Sequence, residues 1–245
     1  SAESELSDAG LVYVFHRTEA GQWREAIRLY ADNADNDDTL SGRGDNSDQY
    51  TPLSLSDDGN TLAVGAPREY SENNDPENNA RQGAGAVYVF RRSGDDWNTT
   101  PAYLKSSATG LYDAFGTSVS LNGDGEILAV GAPGESSDAS SIDGDAENNR
   151  KPYSGAAYLF TYDKAAKRWT QSVYFKASNS DENDFFGIAV SLSDDGHTLA
   201  VGALGESSRD ASNPTNNDFA AAGAAYLFQE LNKEWQQIAY LKARH

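Results

Sequence analysis

The chain has 245 residues, with 19 Lys and Arg against 38 Asp and Glu, so its formal charge is −19. That charge opposes nucleic acid, whose binding rests on neutralised phosphates, and an anionic membrane leaflet; it suits cations and basic partners. The absence of Cys excludes disulfides, thiol nucleophiles and Cys-bound metal, and no apolar run approaches the roughly 20 residues needed for membrane insertion.

Taken in chain order, the predicted elements repeat. The apolar pentad Leu11 to Phe15 is followed by Trp23 and a run to Ala31. A phrase ending Asp58-Gly59 then leads into Leu-Ala-Val-Gly-Ala at 62–66, the pentad Ala86 to Phe90, Trp97, and Ala102-Tyr103-Leu104-Lys105. The same order recurs through Gly125, 128–132, Ala156 to Phe160, Trp169 and Ser172 to Lys176. It recurs once more through Gly196, 199–203, Ala224 to Phe228, Trp235 and Ala239 to Lys242.

Short runs rich in Val, Tyr, Phe and Leu, bounded by Gly, Asp, Asn and Ser, predict strands. Asp-Gly between the first two runs of a unit predicts a hairpin, because Gly supplies the positive φ of a tight turn. The runs are continuous rather than alternating, which predicts sheets covered on both faces. The expected fold is all-β: a β-propeller of four-stranded antiparallel blades, about three and a half of them. The half blade is 10–31 and the blades are 50–105, 115–177 and 186–243. Such an arc leaves an open edge near Leu11, as in a piece of a longer protein or a subunit that assembles with other copies.

Phe115-Gly116, Val119 to Leu121, Gly131-Ala132-Pro133 and Gly155-Ala156-Ala157-Tyr158 resemble the FG-GAP repeats of integrin α-subunit propellers and their bacterial relatives. Phe186-Gly187 and Gly202-Ala203-Leu204 continue the pattern, with Leu for Pro; the earlier unit has Tyr50-Thr51 in place of Phe-Gly. The resemblance implies a seven-bladed propeller, an extracellular or cell-surface location, and adhesion or recognition. It also implies Ca²⁺ in an Asp-x-Asp-x-Asp-Gly loop between the first two strands of a blade. Here those turns, ending at Gly59, Gly125 and Gly196, are too short to wrap a cation with 6–8 oxygens, and read as plain hairpins.

The long loops 68–84, 134–154 and 205–222 are rich in Asn, Asp, Ser and Glu. In the second, Asp143, Asp145, Glu147 and Asn149 alternate like oxygen ligands and are candidates for Ca²⁺; the competing reading is a solvated loop that caps itself. Asp181, Asn183 and Asp184 form a second candidate set before Phe186-Gly187, again against the reading of a charged solvent face. Tyr70, Tyr112, Tyr153 and Phe219 fall outside the repeat's strands and are candidate ligand-binding aromatics, whereas the tyrosines and phenylalanines inside third strands read as packing between blades. Arg43-Gly44-Asp45 spells an integrin-recognised tripeptide, for which chance is the stronger explanation.

Three histidines, no Gly-x-Ser-x-Gly elbow and no phosphate-binding loop argue against an enzyme, although 38 acidic residues leave a carbohydrate-active enzyme as a minor alternative. The expected function is a non-enzymatic recognition or adhesion module for a protein or glycan. The alternative is a structural subunit that joins copies of itself through open blade edges.

Overall fold

A computed structural model describes residues 10–31, 40, 52–72, 79–208, 212–213, 215–217 and 221–243. Among these residues there is no helix, and every named strand pairing is antiparallel. Strands β1 (Val12–Arg17) and β2 (Trp23–Leu29) form a two-stranded sheet. The first full blade contains β3 (Leu53–Leu55), β4 (Thr61–Ala66), β5 (Ala86–Ser93), β6 (Asp96–Trp97) and β7 (Ala102–Leu104). The second contains β8 (Ser118–Leu121), β9 (Ile127–Ala132), β10 (Ala156–Asp163) and β11 (Arg168–Phe175). The third contains β12 (Phe186–Leu192), β13 (Thr198–Ala203), β14 (Ala224–Leu231) and β15 (Glu234–Leu241).

Each blade is a meander whose neighbours in sequence are neighbours in space, as the Asp-Gly hairpins dictate. Gly59, Gly125 and Gly196 hold φ of 67°, 66° and 76° in those turns, a region costly for residues bearing a Cβ. Asp58 and Asp195 close the turns by accepting from the backbone N–H groups of Asn60 and His197.

One predicted strand is divided. In the first full blade the expected fourth strand appears as β6 and β7, both paired with β5. The other blades have a β-bulge at the matching point, between Leu159 and Phe160 and between Leu227 and Phe228. From Trp97 to Lys105 the chain spends one residue more than from Trp169 to Lys176, and Pro101, with no N–H to give a ladder, sits in the excess.

The core lies between sheets, in three clusters, one at each joint. Phe115 packs edge-on against Tyr158 and Phe160, with ring centroids 5.5 and 5.8 Å apart, and Phe186 packs likewise against Tyr226 and Phe228. The Phe-Gly pair thus pins a first strand onto the third strand of its own blade. The same turn stitches blades together: Phe115 N–H donates to Ala84 O, and Phe186 N–H to Ser154 O.

Thr-Leu-Ala-Val-Gly-Ala occurs twice, as β4 and as β13. It is buried at all six positions in β4 but only at alternate positions in β13. Identical residues differ because β4 lies between two sheets, whereas among the described residues the last blade has a neighbour on one face. At the other end of the arc, Tyr13, Phe15 and Trp23 are exposed for the same reason.

Candidate functional site

The long loops begin from a buried anchor that every blade repeats. Glu69, Glu135 and Glu206 stand two residues beyond Gly-Ala-(Pro/Leu) and are almost wholly enclosed. Each meets the Lys that ends its blade's fourth strand: Lys105 Nζ is 2.8 Å from Glu69 Oε2, Lys176 Nζ is 2.7 Å from Glu135 Oε2, and Lys242 pairs with Glu206. Each carboxylate also accepts the N–H of a Ser two residues on, at Ser71, Ser137 and Ser208. The hydroxyls of those serines meet Tyr103, Tyr174 and Tyr240. Enclosure of the pair explains why Lys176 is pushed below its ordinary pKa by desolvation, against the pull of Glu135.

Between one anchor and the next stands a buried aspartate. Asp113 accepts from Gly110 N–H at 2.6 Å, and Asp184 accepts from Asp181 N–H at 2.8 Å. Burial pushes each carboxyl up to about 7, and the anchor glutamate of the following loop, Glu135 or Glu206, adds to the rise.

Above these anchors, Glu72 and Arg81, the connection 105–111 and residues 134–153 bound a groove between the first and second full blades. Its larger part, of about 530 Å³, is lined by residues including Glu72, Arg81, Ser106, Ala108, Glu147 and Asn149. A smaller part, of about 300 Å³, is lined by Leu111, Gly134, Ser136, Pro152 and Tyr153, and shares Arg81 and Asn149 with the first. Arg81 is held by Glu72 at 2.8 Å. The groove is therefore polar at one end and more apolar at the other, where Leu111, Tyr112 and Tyr153 are exposed.

Of the candidate aromatics, Tyr153 lines the groove and packs at a tilt against Phe185, with centroids 5.8 Å apart. Tyr112 adjoins it, donating its hydroxyl to Gln82 Oε1 at 2.7 Å; Tyr70, half-buried, accepts from the amide of the same Gln82. Tyr112 and Tyr153 hold φ of 62° and 55°, a left-handed backbone unusual for bulky residues and one that fixes where their rings stand. Phe219 lies outside the described residues, as do Arg43-Gly44-Asp45.

The candidate metal ligands separate. Asp143 is bound to the edge of β11, its N–H donating to Tyr174 O and its Oδ1 accepting from Tyr174 N–H. Asp145 caps the N–H of Glu147. Glu147 and Asn149 line the groove instead. Asp181 meets Lys151 and the Asn217 amide, Asn183 N–H donates to Pro152 O, and Asp184 is the buried cap already described. As placed, neither set converges on one point, and among the described residues no three His, Asp or Glu side chains gather closely enough to hold a metal ion.

Arg81 and residues 106–110 were not among the sequence candidates. The signal for the anchors was present, a Glu after each Gly-Ala-(Pro/Leu) and a Lys closing each unit, but the partners are 36 to 41 residues apart and only the meander unites them.

A stack of four-stranded antiparallel blades, joined by Phe-Gly turns and carrying its cavities between loops, defines a propeller-type repeat module. Residues 169–228 match the family model described as FG-GAP repeat, so this part of the chain carries an FG-GAP-type repeat. The match runs from a fourth strand, across a joint, to the next third strand. No curated protein matches the sequence. Among solved structures, a provisionally assigned 6-phosphogluconolactonase from Bacteroides uniformis is similar at 13% identity and TM-score 0.45, over 94% of this chain and 51% of that one. Sqt1 from Saccharomyces cerevisiae is similar at 8% identity and TM-score 0.40, over 81% of this chain and 36% of that one. The chain thus spans between about a third and about half of these structures, and scores this low carry no weight for function.

Proposed function

We propose that the chain is a non-enzymatic extracellular recognition module that binds a protein or glycan in the groove between its first two full blades. One observation carries this reading: two adjoining cavities share Arg81 and Asn149 and end beside exposed Leu111 and Tyr153. A polar well next to a fixed aromatic platform suits a ligand with both polar and apolar parts. The non-enzymatic part of the reading is supported by where the shifted carboxyls are: Asp113 and Asp184 cap backbone rather than line the groove. The test is a screen on glycan and peptide arrays with the wild type, Arg81→Ala and Tyr153→Ala. Hits lost in both variants support the groove; hits kept in both remove it. Calcium stabilisation belongs to the proposal through the acidic loops: a melting temperature raised by millimolar Ca²⁺ supports it, and an unchanged one removes it.

A second reading, self-assembly, is favoured by the half-covered last blade. At interior joints Ser54 and Ser120 hydroxyls accept from the N–H groups of Leu121 and Leu192 in the following blade. Ser191 is the matching residue on the last blade and is exposed there, as are Ile238 and Leu241 on the fourth strand of the same sheet. Light scattering coupled to size exclusion tests this: a defined oligomer that dissociates on Ser191→Arg supports it, and a monomer throughout removes it.

A further inference from the structure

We propose that the third full blade closes itself with a covalent bond, an amide between Lys242 Nζ and the side-chain carbon Cγ of Asn179, with Glu206 carrying the protons. The inference does not depend on what the groove binds. Three groups meet around one carboxylate. Lys242 Nζ pairs with Glu206 Oε2 and also donates to Glu206 O at 3.5 Å. Asn179 Nδ2 donates to Glu206 Oε1 at 3.3 Å. The two oxygens of a single carboxylate thus hold an amine and a primary carboxamide as neighbours. The Tyr226 hydroxyl donates to Asn179 Oδ1 at 2.9 Å. A nucleophile, a proton carrier, an electrophilic carbonyl and a donor on the oxygen where charge develops are the parts that acyl transfer requires.

The surroundings suit the reaction. The Lys242 and Glu206 side chains are almost wholly enclosed, and Asn179 is half-buried. Ser208 fixes Glu206 by donating its N–H to Oε1 at 3.0 Å and its hydroxyl to Oε2 at 3.1 Å. Tyr226 is buried against Phe186 and Tyr240, with ring centroids 5.3 and 5.1 Å away. Burial holds its hydroxyl well above the ordinary phenol pKa, so it stays a donor. Fixed neighbours react as one molecule rather than two, and enclosure limits the water that would compete for Cγ.

The step balances without an oxidant or a co-reactant. Glu206 takes a proton from the Lys242 ammonium. The freed lone pair on Nζ attacks Asn179 Cγ, a C–N bond forms, and the carbonyl electrons move to Oδ1 beside the Tyr226 hydroxyl. As those electrons return, the Cγ–Nδ2 bond breaks. Nζ sheds a proton that passes by way of Glu206 to Nδ2, which leaves as ammonia. The product is a secondary amide between the two side chains.

The second blade supplies a contrast. Asn179 stands three residues past Lys176, and the residue three past Lys105 is Ala108, which has no carbonyl in its side chain. Lys176 Nζ, beside Glu135, donates instead to Ser154 Oγ at 2.8 Å and Ser137 O at 3.1 Å. That pair stays ionic. In the third blade the amide joins the segment that enters β12 to the residue that follows β15, so the whole blade lies inside one covalent loop. A chain without Cys has no disulfide to do this, and such a loop stabilises by restricting the unfolded state.

Intact-mass spectrometry of the purified full chain tests the bond. The expected mass lies below that of the sequence by one ammonia, about 17 Da. After proteolysis, fragmentation should show a branched peptide joining Asn179 to Lys242. Asn179→Ala, Lys242→Arg and Glu206→Gln should each carry the full mass of its own sequence and give no branched peptide. Lys242→Arg keeps a cation beside Glu206, so its melting temperature, expected to fall by about 5 °C or more, reads the bond rather than the ion pair. The full sequence mass in the wild type would overturn the inference. So would an ammonia loss confined to a linear Asn179 peptide, as in a cyclic imide with its own backbone, or a loss that persists in Lys242→Arg. The wild-type mass and the branched peptide decide the matter even where a variant fails to fold.

Discussion

Lys176 Nζ lies 2.7 Å from Glu135 Oε2 with both side chains sealed from solvent, and the same pair recurs at the corresponding place in the other two full blades. Each pair ties the base of a long loop to the end of a fourth strand, so the groove's walls stand on charges that cannot be screened. A buried pair adds little over a well-packed apolar one, but half of one is severe. Lys176→Met should therefore cost about 3–5 kcal/mol in denaturant unfolding, and adding Glu135→Gln should recover part of the loss. A single-variant cost below about 1 kcal/mol would mean that Glu135 finds another cation.

Asp113 and Asp184 make stability depend on pH. Their folded pKa values, about 7, lie above the ordinary carboxyl value, so the folded chain binds more protons than the unfolded chain between the two. Stability from these groups is therefore greatest below the unfolded value and falls as pH rises toward 7, then levels. Melting temperature should drop between pH 5 and pH 8, and Asp113→Asn with Asp184→Asn should flatten that drop. An unchanged slope in the double variant would place the pH dependence in the surface carboxylates.

Gly65 and Gly202 hold the same place in the repeated hexapeptide and should respond oppositely to a methyl group. A Cβ at Gly65 would lie 2.0 Å from Gly116 O in the next blade; at Gly202 the nearest atom would be 3.5 Å away. Gly65→Ala should cost about 1–3 kcal/mol or more through overpacking. Gly202→Ala should be neutral or stabilise by about 0.4–1 kcal/mol. Thermal melts of the two variants read this directly, and equal losses would show the last blade to be covered in solution.

The fold was legible because repetition made each unit a check on the others. The strands around Trp97, Trp169 and Trp235 could be aligned before any was located, and only the break at Pro101, caused by a single extra residue, escaped. The site was less legible. Tyr153 was chosen as a ligand-binding aromatic and lines the groove; Glu147 and Asn149 were chosen as metal ligands and line it too, while Asp143 bonds the Tyr174 backbone and Asp145 caps the N–H of Glu147. Cavities arise where blades meet, and no run of sequence within one blade spells them.

The most direct measurement is a hydrogen-exchange footprint with whichever array ligand binds best. The account predicts slowed exchange confined to residues 79–85, 105–113 and 146–153, the walls of the groove between the first two full blades. Protection confined instead to residues 186–192 and 234–241, with the groove unchanged, would contradict it and place recognition on the outer face of the last blade.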